Sequence, residues 1–359
     1  MERALNEVNR ILSDTFIDIV KHKVRKMYLV GGSLRDAYYG RKVKDFDFVL
    51  SHEDFITVAE FIDKSSLSHF TLNSGRLKLL RTFQGELTFD FMILSGTLEE
   101  DFERRDFTLN TLYYDLKSNE LIQFGSAFQD LASKLLKVVS AHSIEDDPVR
   151  ALRGIRLIGT FNLEVGKESV KMLRKGMNLL TNVKKERIRE ELKQLVHIGD
   201  ANLINALEIV FGEHFGDILE KLNVAEDFTV LDREINVGFS YRDILRVAFL
   251  VRRFPILLCG FSGRELKVLE KTINTKVSTT FESLFDMYIR SRSLPEALLV
   301  ILMNFEGDSA LKFGRMIEQW HTVKVDGNRI KGIATSGKER GIIKENIQKT
   351  ELRKMYDKV

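Results

Sequence analysis

The sequence contains few of the features that mark secreted or membrane-spanning proteins. It holds 1 Cys and 3 Pro in 359 residues. The single thiol, Cys259, excludes an internal disulfide framework and is typical of a reducing compartment. No apolar run approaches the roughly 20 residues that a membrane span requires. The first twenty residues mix acidic side chains into an amphipathic pattern, which is unlike a signal peptide. We therefore expect a soluble, cytoplasmic protein.

The chain also lacks a strong net charge, since 55 Lys/Arg nearly balance 52 Asp/Glu for a total of +3. The charge is unevenly distributed: residues 322–359 hold 10 Lys/Arg against 5 Asp/Glu, a net charge of +5, and residues 1–321 carry −2. A basic C-terminal tail suits a phosphate backbone, because Lys and Arg displace its condensed counterions. A solvated helical tail explains the charge equally well, and composition alone leaves both interpretations open.

The pattern of apolar residues changes near residue 145. Before this point short apolar runs alternate with turns, and after it helical spacing dominates and strand signals become rare. The fold class that this pattern predicts is α+β, with a mixed head of about 140 residues followed by a helical remainder. In the head, strands are predicted at 27–32, 45–50, 77–83 and 86–94, with a helix at 52–63.

A glycine turn followed by Arg-Asp is the first chemical signal, within VGGSLRDAYYGRKVKDFDFVL at 30–50. A strand ends in Gly31 and Gly32, where the missing Cβ lets an anionic ligand approach the backbone. The N-terminus of the following helix, predicted to begin near Arg35 and Asp36, favours negative charge. Arg35 adds a fork of donors for a phosphate. The turn therefore suits a nucleotide phosphate.

The second signal is a pair of aspartates on the next strand. Asp45 and Asp47 lie two residues apart, so that both carboxylates point to one face. Paired oxygen ligands suit Mg²⁺, which binds through carboxylates and substrate phosphates. Two such ions can activate an attacking hydroxyl and stabilise a leaving pyrophosphate. The pattern thus favours metal-assisted nucleotidyl transfer.

Glycines, Arg-Asp and Asp-x-Asp in this order resemble the signature of the class II tRNA nucleotidyltransferase and bacterial poly(A) polymerase family. The resemblance implies a nucleotidyltransferase head with a mixed β-sheet and helices, followed by an all-helical neck, body and tail. It also implies that Asp45 and Asp47 are catalytic and bind Mg²⁺, while Gly31, Gly32, Arg35 and Asp36 bind the nucleotide. The expected domains are a catalytic head at 1–138, a neck at 139–200, a body at 201–320 and a basic tail at 321–359.

A second segment, ERRDFTLNTLYYD at 103–115, is similar to another motif of this family. By this resemblance Arg105 contacts the triphosphate, Asp106 contacts the ribose hydroxyls, and Asn110 supports the nucleotide pocket. Asp90, on the strand ELTFDF, aligns with an acidic strand position and is a candidate third catalytic carboxylate.

The segment DDPVRALRGIRLI at 146–158 resembles the motif with which the family selects the incoming base. The resemblance makes Asp147 and Arg150 a protein template, with Arg153 and Arg156 supporting it or the triphosphate. The assignment makes chemical sense, because a carboxylate accepts from the exocyclic amine of cytosine or adenine while guanidinium donates to the adjacent ring nitrogen. Uracil and guanine present a carbonyl and a ring N–H there, so both contacts would be mispaired.

The length of the connection after Asp90 bears on which reaction is expected. Only residues 91–96 separate Asp90 from Thr97. Complete CCA-adding members carry a considerably longer flexible loop here, and the short form resembles CC-adding members. We therefore expect the addition of two cytidines from CTP to the 3′ end of tRNA. The alternatives are a complete CCA-adding or A-adding enzyme, a poly(A) polymerase, and a non-catalytic RNA-binding protein on the same scaffold.

The resemblance also implies the partners of the protein. These are Mg²⁺ as cofactor, CTP as substrate, ATP in the alternative reactions, the acceptor arm and 3′ end of tRNA, and no membrane. A CC-adding enzyme would require a separate A-adding enzyme acting after it. The segment 327–347 is similar to the glycine-punctuated tail of many members, which would place the basic tail on tRNA.

Overall fold

The computed structural model describes residues 1–74, 77–236, 238–261, 263–291, 293–324 and 336–358. The chain forms two compact units. The first comprises Met1–Leu179 with Ile209–Phe211, and the second comprises Leu180–Glu208 with Gly212–Val359. Within the described ranges, no helix has the length and apolar character needed to cross a bilayer. The division into four domains stays a prediction.

A seven-stranded mixed sheet forms the framework of the first unit. The strands lie in the spatial order β3-β4-β5-β2-β1-β6-β7. β2 and β5 are parallel, and the other neighbours are antiparallel. Their bounds are β1 Tyr28–Val30, β2 Asp45–Leu50, β3 His69–Ser74, β4 Leu77–Gln84, β5 Leu87–Ile93, β6 Tyr113–Asp115 and β7 Glu120–Ile122.

Helices flank this sheet and follow it along the chain. They are α1 Glu2–Ser13, α2 Ile17–Val20, α3 Gly32–Tyr38, α4 His52–Asp63, α5 Leu98–Glu103, α6 Ala127–Ala132, α7 Ala141–Asp146, α8 Val149–Phe161 and α9 Lys167–Asn178, with a 3-10 turn at Thr108–Asn110. A short parallel pair, β8 Leu135–Leu136 with β9 Glu164–Val165, completes the unit. The α+β fold class predicted from the sequence is confirmed.

The two-residue period of β2 separates the core from the opposite face of the sheet. Phe46 and Phe48 are fully buried and stack on Phe89 and Phe91 of β5, with ring centroids 5.6 and 5.1 Å apart. Because successive side chains of a strand point to opposite faces, Asp45 and Asp47 project away from these rings. The predicted sharing of one face by the two aspartates is confirmed.

The second unit is mostly helical. Its helices are α10 Lys185–Val196, α11 Asp200–Phe211 (whose last three residues belong to the first unit), α12 Gly216–Ala225, α13 Tyr241–Arg253, α14 Gly263–Asn274, α15 Phe281–Arg290, α16 Leu294–Asn304, α17 Gly307–Thr322 and α18 Gly337–Tyr356. Shorter 3-10 segments lie at Leu180–Asn182, Thr229–Asp232 and Pro255–Gly260. The expectation of an all-helical remainder was wrong in two places. β9 lies within the predicted neck, and β10 Glu234–Asn236 and β11 Phe239–Ser240 form an antiparallel pair in the predicted body.

The core of the second unit is built around α16 and a buried indole. α16 is apolar on all sides and its residues 295–303 are buried, as expected of a helix surrounded by others. Trp320 is fully buried between the rings of Phe281 and Tyr288, at centroid distances of 5.8 and 5.7 Å. The C-terminal helix α18 buries Leu352. The predicted tail motif at 327–347 lies partly outside the described residues.

Candidate active site

The glycine turn lies where β1 meets α3, directly against the aspartate strand. Gly31 has φ +91°, in the left-handed region that favours glycine. A Cβ on this residue would come within 2.9 Å of the Asp47 carboxylate oxygen Oδ2. The position therefore requires glycine for both its backbone conformation and its close approach to Asp47. α3 begins at Gly32, three residues earlier than the predicted start near Arg35.

Three carboxylates project from adjacent parallel strands on the same face. Asp45 is exposed and Asp47 is half-buried on β2, and Asp47 lies directly opposite Asp90 on β5. Residues directly opposite on neighbouring strands share a face and lie close together. The structure thus brings the predicted third carboxylate beside the predicted metal pair, while its catalytic role stays a prediction.

Asp90 is held by a side chain that sequence reasoning missed. Arg81, its register partner on β4, donates from Nε to Oδ1 at 2.6 Å and from Nη2 to Oδ2 at 2.5 Å. The two-residue turn at Gly85 and Glu86 contains the signal that identifies this pair, because a tight hairpin turn fixes the register of the strands that it joins. Since both oxygens of Asp90 accept from one guanidinium, its charge is compensated within the protein.

Crowding of carboxylates changes the acidity of Asp47. Burial and the negative charge of Asp90 raise the pKa of Asp47 to about 6, with a smaller contribution from Asp45, although Arg105 and Arg153 oppose the shift. A cation between these oxygens would relieve the repulsion and favour the ionised form. The raised pKa therefore indicates a site that is electrostatically incomplete without positive charge.

The shift predicts a characteristic dependence of stability on pH. Because the pKa of Asp47 in the folded protein exceeds the unfolded value of about 3.9, the folded state binds the proton more tightly and stability falls as pH rises from about 4 to about 6. We expect Asp47→Asn to gain stability relative to wild type across this window, and the gain to level off above it. Urea unfolding in EDTA at a series of pH values measures the difference.

A matched variant has the opposite expected sign. Asp18 forms an ion pair with Lys21 at 2.7 Å that lowers its pKa. Asp18→Asn should therefore be slightly less stable than wild type, and this deficit should develop below the unfolded pKa and stay constant above it. A pH-independent gain for Asp47→Asn would contradict the assigned repulsion.

A buried carboxylate holds Arg105 in place. Arg105 donates from Nε to Asp101 at 2.7 Å and to the hydroxyl of Tyr113 at 3.1 Å, and that hydroxyl donates to Asp101 at 2.8 Å. Arg104 pairs with the same carboxylate. Asp101 is 1% exposed. Burial opposes its ionisation, but Arg105 and Arg104 outweigh that effect and leave its pKa lowered. Asp101 is thus a positioning residue for Arg105.

A second network links the other side of the site. Asp106 accepts from Asn110 Nδ2 at 3.0 Å and from Arg153 Nη1 at 3.2 Å, while Asn110 Oδ1 accepts from Arg35 Nη1 at 2.5 Å. Arg35 also donates to Asp36 at 2.7 and 2.9 Å. Burial alone would raise the pKa of Asp106, yet Arg153 and the hydrogen bonds lower it. Five of the predicted nucleotide-binding residues therefore form one connected, largely buried system.

The predicted base-reading pair lies at the start of α8. The Nε atom of Arg150 lies 3.5 Å from Oδ2 of Asp147. Its Nη1 donates to the carbonyl of Ser143 at 2.8 Å. Both side chains remain about one-fifth exposed, so each is fixed in direction yet reachable by a ligand. Arg156 lies on the same helix, two turns further on, and is half-buried. The helix begins at Val149, directly after Pro148.

The donor set fits Mg²⁺ better than a metal held wholly by protein. Among the described residues, no group of three or more His, Cys, Asp or Glu side chains is arranged to hold a metal ion. Mg²⁺ commonly binds through one or two carboxylates and completes its shell with water and substrate phosphates. Asp45 and Asp47 offer two such carboxylates beside a glycine whose missing Cβ leaves space, whereas Asp90 is bound by Arg81.

Part of this chain is similar to a known protein family. Residues 82–137 match the model of the poly(A) polymerase head domain. The similarity to this head domain thus covers the part of the first unit from β4 to β8. The family resemblance inferred from the motifs is confirmed. The matched segment begins at Thr82, directly after Arg81, and includes Asp90, Arg105 and Asp106.

Two known proteins are similar in sequence to part of this chain. It is 32% identical over 171 residues to a CC-adding tRNA nucleotidyltransferase of Synechocystis, covering 47% of this chain and 41% of the relative. It is 30% identical over 226 residues to poly(A) polymerase I of Haemophilus influenzae, covering 55% of this chain and 46% of the relative. The matched region thus spans less than half the length of these relatives.

The fold resembles solved structures over nearly the whole chain. A Thermotoga maritima CCA-adding enzyme complexed with tRNA matches with a TM-score of 0.68 and 19% identity, covering 98% of this chain and 97% of that one. At this identity the likeness establishes a shared fold. The sheet-containing unit and the helical remainder therefore occur together in one known fold.

Proposed function

We propose that this protein is a nucleotidyltransferase that adds two cytidines from CTP to the 3′ end of tRNA and releases pyrophosphate. The observation that carries the choice of CC addition is the connection between β5 and α5. β5 ends at Ile93 and α5 begins at Leu98. Thr97 caps α5 and is itself bound by Glu100, at 3.1 and 2.8 Å. This short, capped connection leaves no room for a long flexible loop.

The proposed reaction is an in-line displacement at the α-phosphate of CTP. The 3′-hydroxyl oxygen of the RNA forms a bond to phosphorus, the bond to pyrophosphate breaks, and the hydroxyl proton leaves to solvent. Asp45 and Asp47 would hold Mg²⁺, which when bound would supply positive charge to the reacting phosphate. Arg105, fixed by Asp101, would contact the triphosphate. Asp106 would bind ribose through the network that also contains Asn110.

Selection of the base is assigned to Asp147 and Arg150. Their side chains are already directed by neighbouring groups, so that little conformational freedom is lost on binding. Cytosine satisfies both with its exocyclic amine and ring nitrogen, whereas uracil presents a carbonyl to the carboxylate. Relatives with CC-adding and poly(A) polymerase names support nucleotidyl transfer more broadly than they support the choice of nucleotide. The cytoplasmic location stays a prediction.

Three tRNA transcripts test the proposal, ending at the discriminator base, at CC and at CCA. Each is incubated with purified protein and Mg²⁺ with CTP, ATP or both, and the products are resolved at single-nucleotide length. We expect two cytidines on the first transcript and no adenosine on the second. Adenosine on the CC end would contradict the argument from the short connection and favour a complete or A-adding enzyme. The absence of any addition would favour the non-catalytic RNA-binding alternative.

A further inference from the structure

The hairpin of β3 and β4 exposes three large apolar side chains. Phe70, Leu72 and Phe83 are 42%, 52% and 38% exposed. The rings of Phe70 and Phe83 lie side by side, with centroids 6.1 Å apart. Single exposed apolar residues are ordinary, but adjacent ones on the same surface mark interaction sites. We call these three residues the hairpin patch.

The hairpin patch continues the face of the sheet that carries the aspartates. In the strand register Asp47 lies opposite Asp90, Asp90 opposite Arg81, and Arg81 opposite Phe70. Directly opposite side chains share a face, so these four form one row across β2, β5, β4 and β3. Phe83 lies two residues beyond Arg81 and shares its face. With strands about 4.8 Å apart, Phe70 lies about 14 Å from Asp47.

The strand order places the hairpin patch on the side from which the attacking hydroxyl must come. This step rests on the proposed function. β1 flanks β2 on one side and leads into the Gly31–Gly32 turn, which is assigned to the triphosphate. β5, β4 and β3 follow on the other side of β2. In an in-line displacement the attacking and leaving oxygens lie on opposite sides of the phosphorus. The RNA 3′ end therefore approaches over β5 and β4, from the direction of the hairpin patch.

We infer that the hairpin patch is a stacking platform for the unpaired nucleotides at the 3′ end of the RNA primer. Aromatic side chains stack on any base, so that such a platform binds single strands without reading sequence. A few nucleotides of single strand span the distance from Phe70 to the carboxylates. A protein partner on this face would cover the approach to Asp47, whereas the primer has to pass there. The surface thus fits a single-stranded RNA end.

The test measures binding of the protein to two stem-loop RNAs. One RNA hairpin is blunt, and the other has a three-nucleotide 3′ overhang. The double variant Phe70→Ala/Phe83→Ala should bind the overhang hairpin about 10- to 100-fold more weakly than wild type. Its affinity for the blunt hairpin should not change. A 2-aminopurine placed in the overhang should lose its fluorescence quenching in this variant. Phe70→Tyr/Phe83→Tyr keeps the rings and should restore both signals.

Ile56→Ala is the matched control, since Ile56 is an apolar residue of α4 in the same unit with 41% exposure. The inference is overturned if the double alanine variant behaves like this control, or if it loses affinity equally for both hairpins. It is also overturned if the double variant leaves RNA binding intact but abolishes self-association of the wild-type protein. Failure of wild-type protein to extend any primer would instead refute the proposed function.

Discussion

Replacing Asp45 and Asp47 by alanine should reduce nucleotide addition by roughly 10³-fold or more, because the proposed ions supply several kcal/mol of transition-state stabilisation. The fold should survive the change. Asp45 is exposed, and the carboxylates lie on the face opposite the stacked rings of Phe46 and Phe48. Single-turnover incorporation of CTP on a tRNA transcript measures the loss.

A second measurement separates metal binding from turnover. An ion that binds only the folded state raises the unfolding temperature, so Mg²⁺ should stabilise the wild type and have a smaller effect on the double variant. Asp63→Ala removes an exposed carboxylate of α4 and should change neither activity nor the Mg²⁺ response. Undiminished activity in the double variant would refute the assignment of Asp45 and Asp47.

Replacing Arg150 by alanine should reduce discrimination between CTP and UTP by about 10- to 100-fold. An unpaired buried donor or acceptor costs about 1–3 kcal/mol, and in the proposed function the Arg150 guanidinium is the group that would reject the ring N–H of uracil. The relevant quantity is the ratio of kcat/KM for the two nucleotides, measured on one tRNA transcript. Affinity for that tRNA should change little, because Arg150 is assigned to the base of the incoming nucleotide.

Two further variants refine this experiment. Arg150→Lys keeps the charge but loses the planar fork of donors, and it should show most of the defect. Arg10→Ala removes an arginine of α1 whose partner is Glu7 on the same helix, and it should have no effect. Equal losses of nucleotide discrimination and tRNA affinity in Arg150→Ala would show that this side chain does not read the base.

The parts of the fold that were predictable depend on local patterns. β2 and α4 have the predicted bounds, since alternation in DFDFVL and the Ser51 cap before an apolar 3.6-residue period are both local signals. β3 was missed because its alternation contains only two large apolar residues, Phe70 and Leu72, and both are exposed at the edge of the sheet, so that no buried face marks the strand. The β10–β11 pair is too short to give a clear period.

The parts of the site that were missed depend on contacts distant in sequence. Asp101 stands in the acidic run LEEDFE, which is typical of a solvated helix, and only its contacts with Arg105 and Tyr113 explain its burial. Arg81 was overlooked because its own residue type carries no sign of its partner, which follows only from the register that the hairpin turn sets. The positions of Asp45, Asp47 and Gly31 were accessible because each belongs to a short motif with its own geometric reason.

Because the aspartates and the phenylalanines lie on opposite faces of β2, the proposed catalytic site and the core can change independently of each other. A change at Asp45 or Asp47 removes no buried ring, and at Asp47 it also removes a repulsion that raises the pKa to about 6. A lineage can therefore lose the proposed activity at no cost in stability and keep an intact fold. A one-residue slip of β2 has the opposite effect, because it would exchange the two sets of side chains and destroy site and core together.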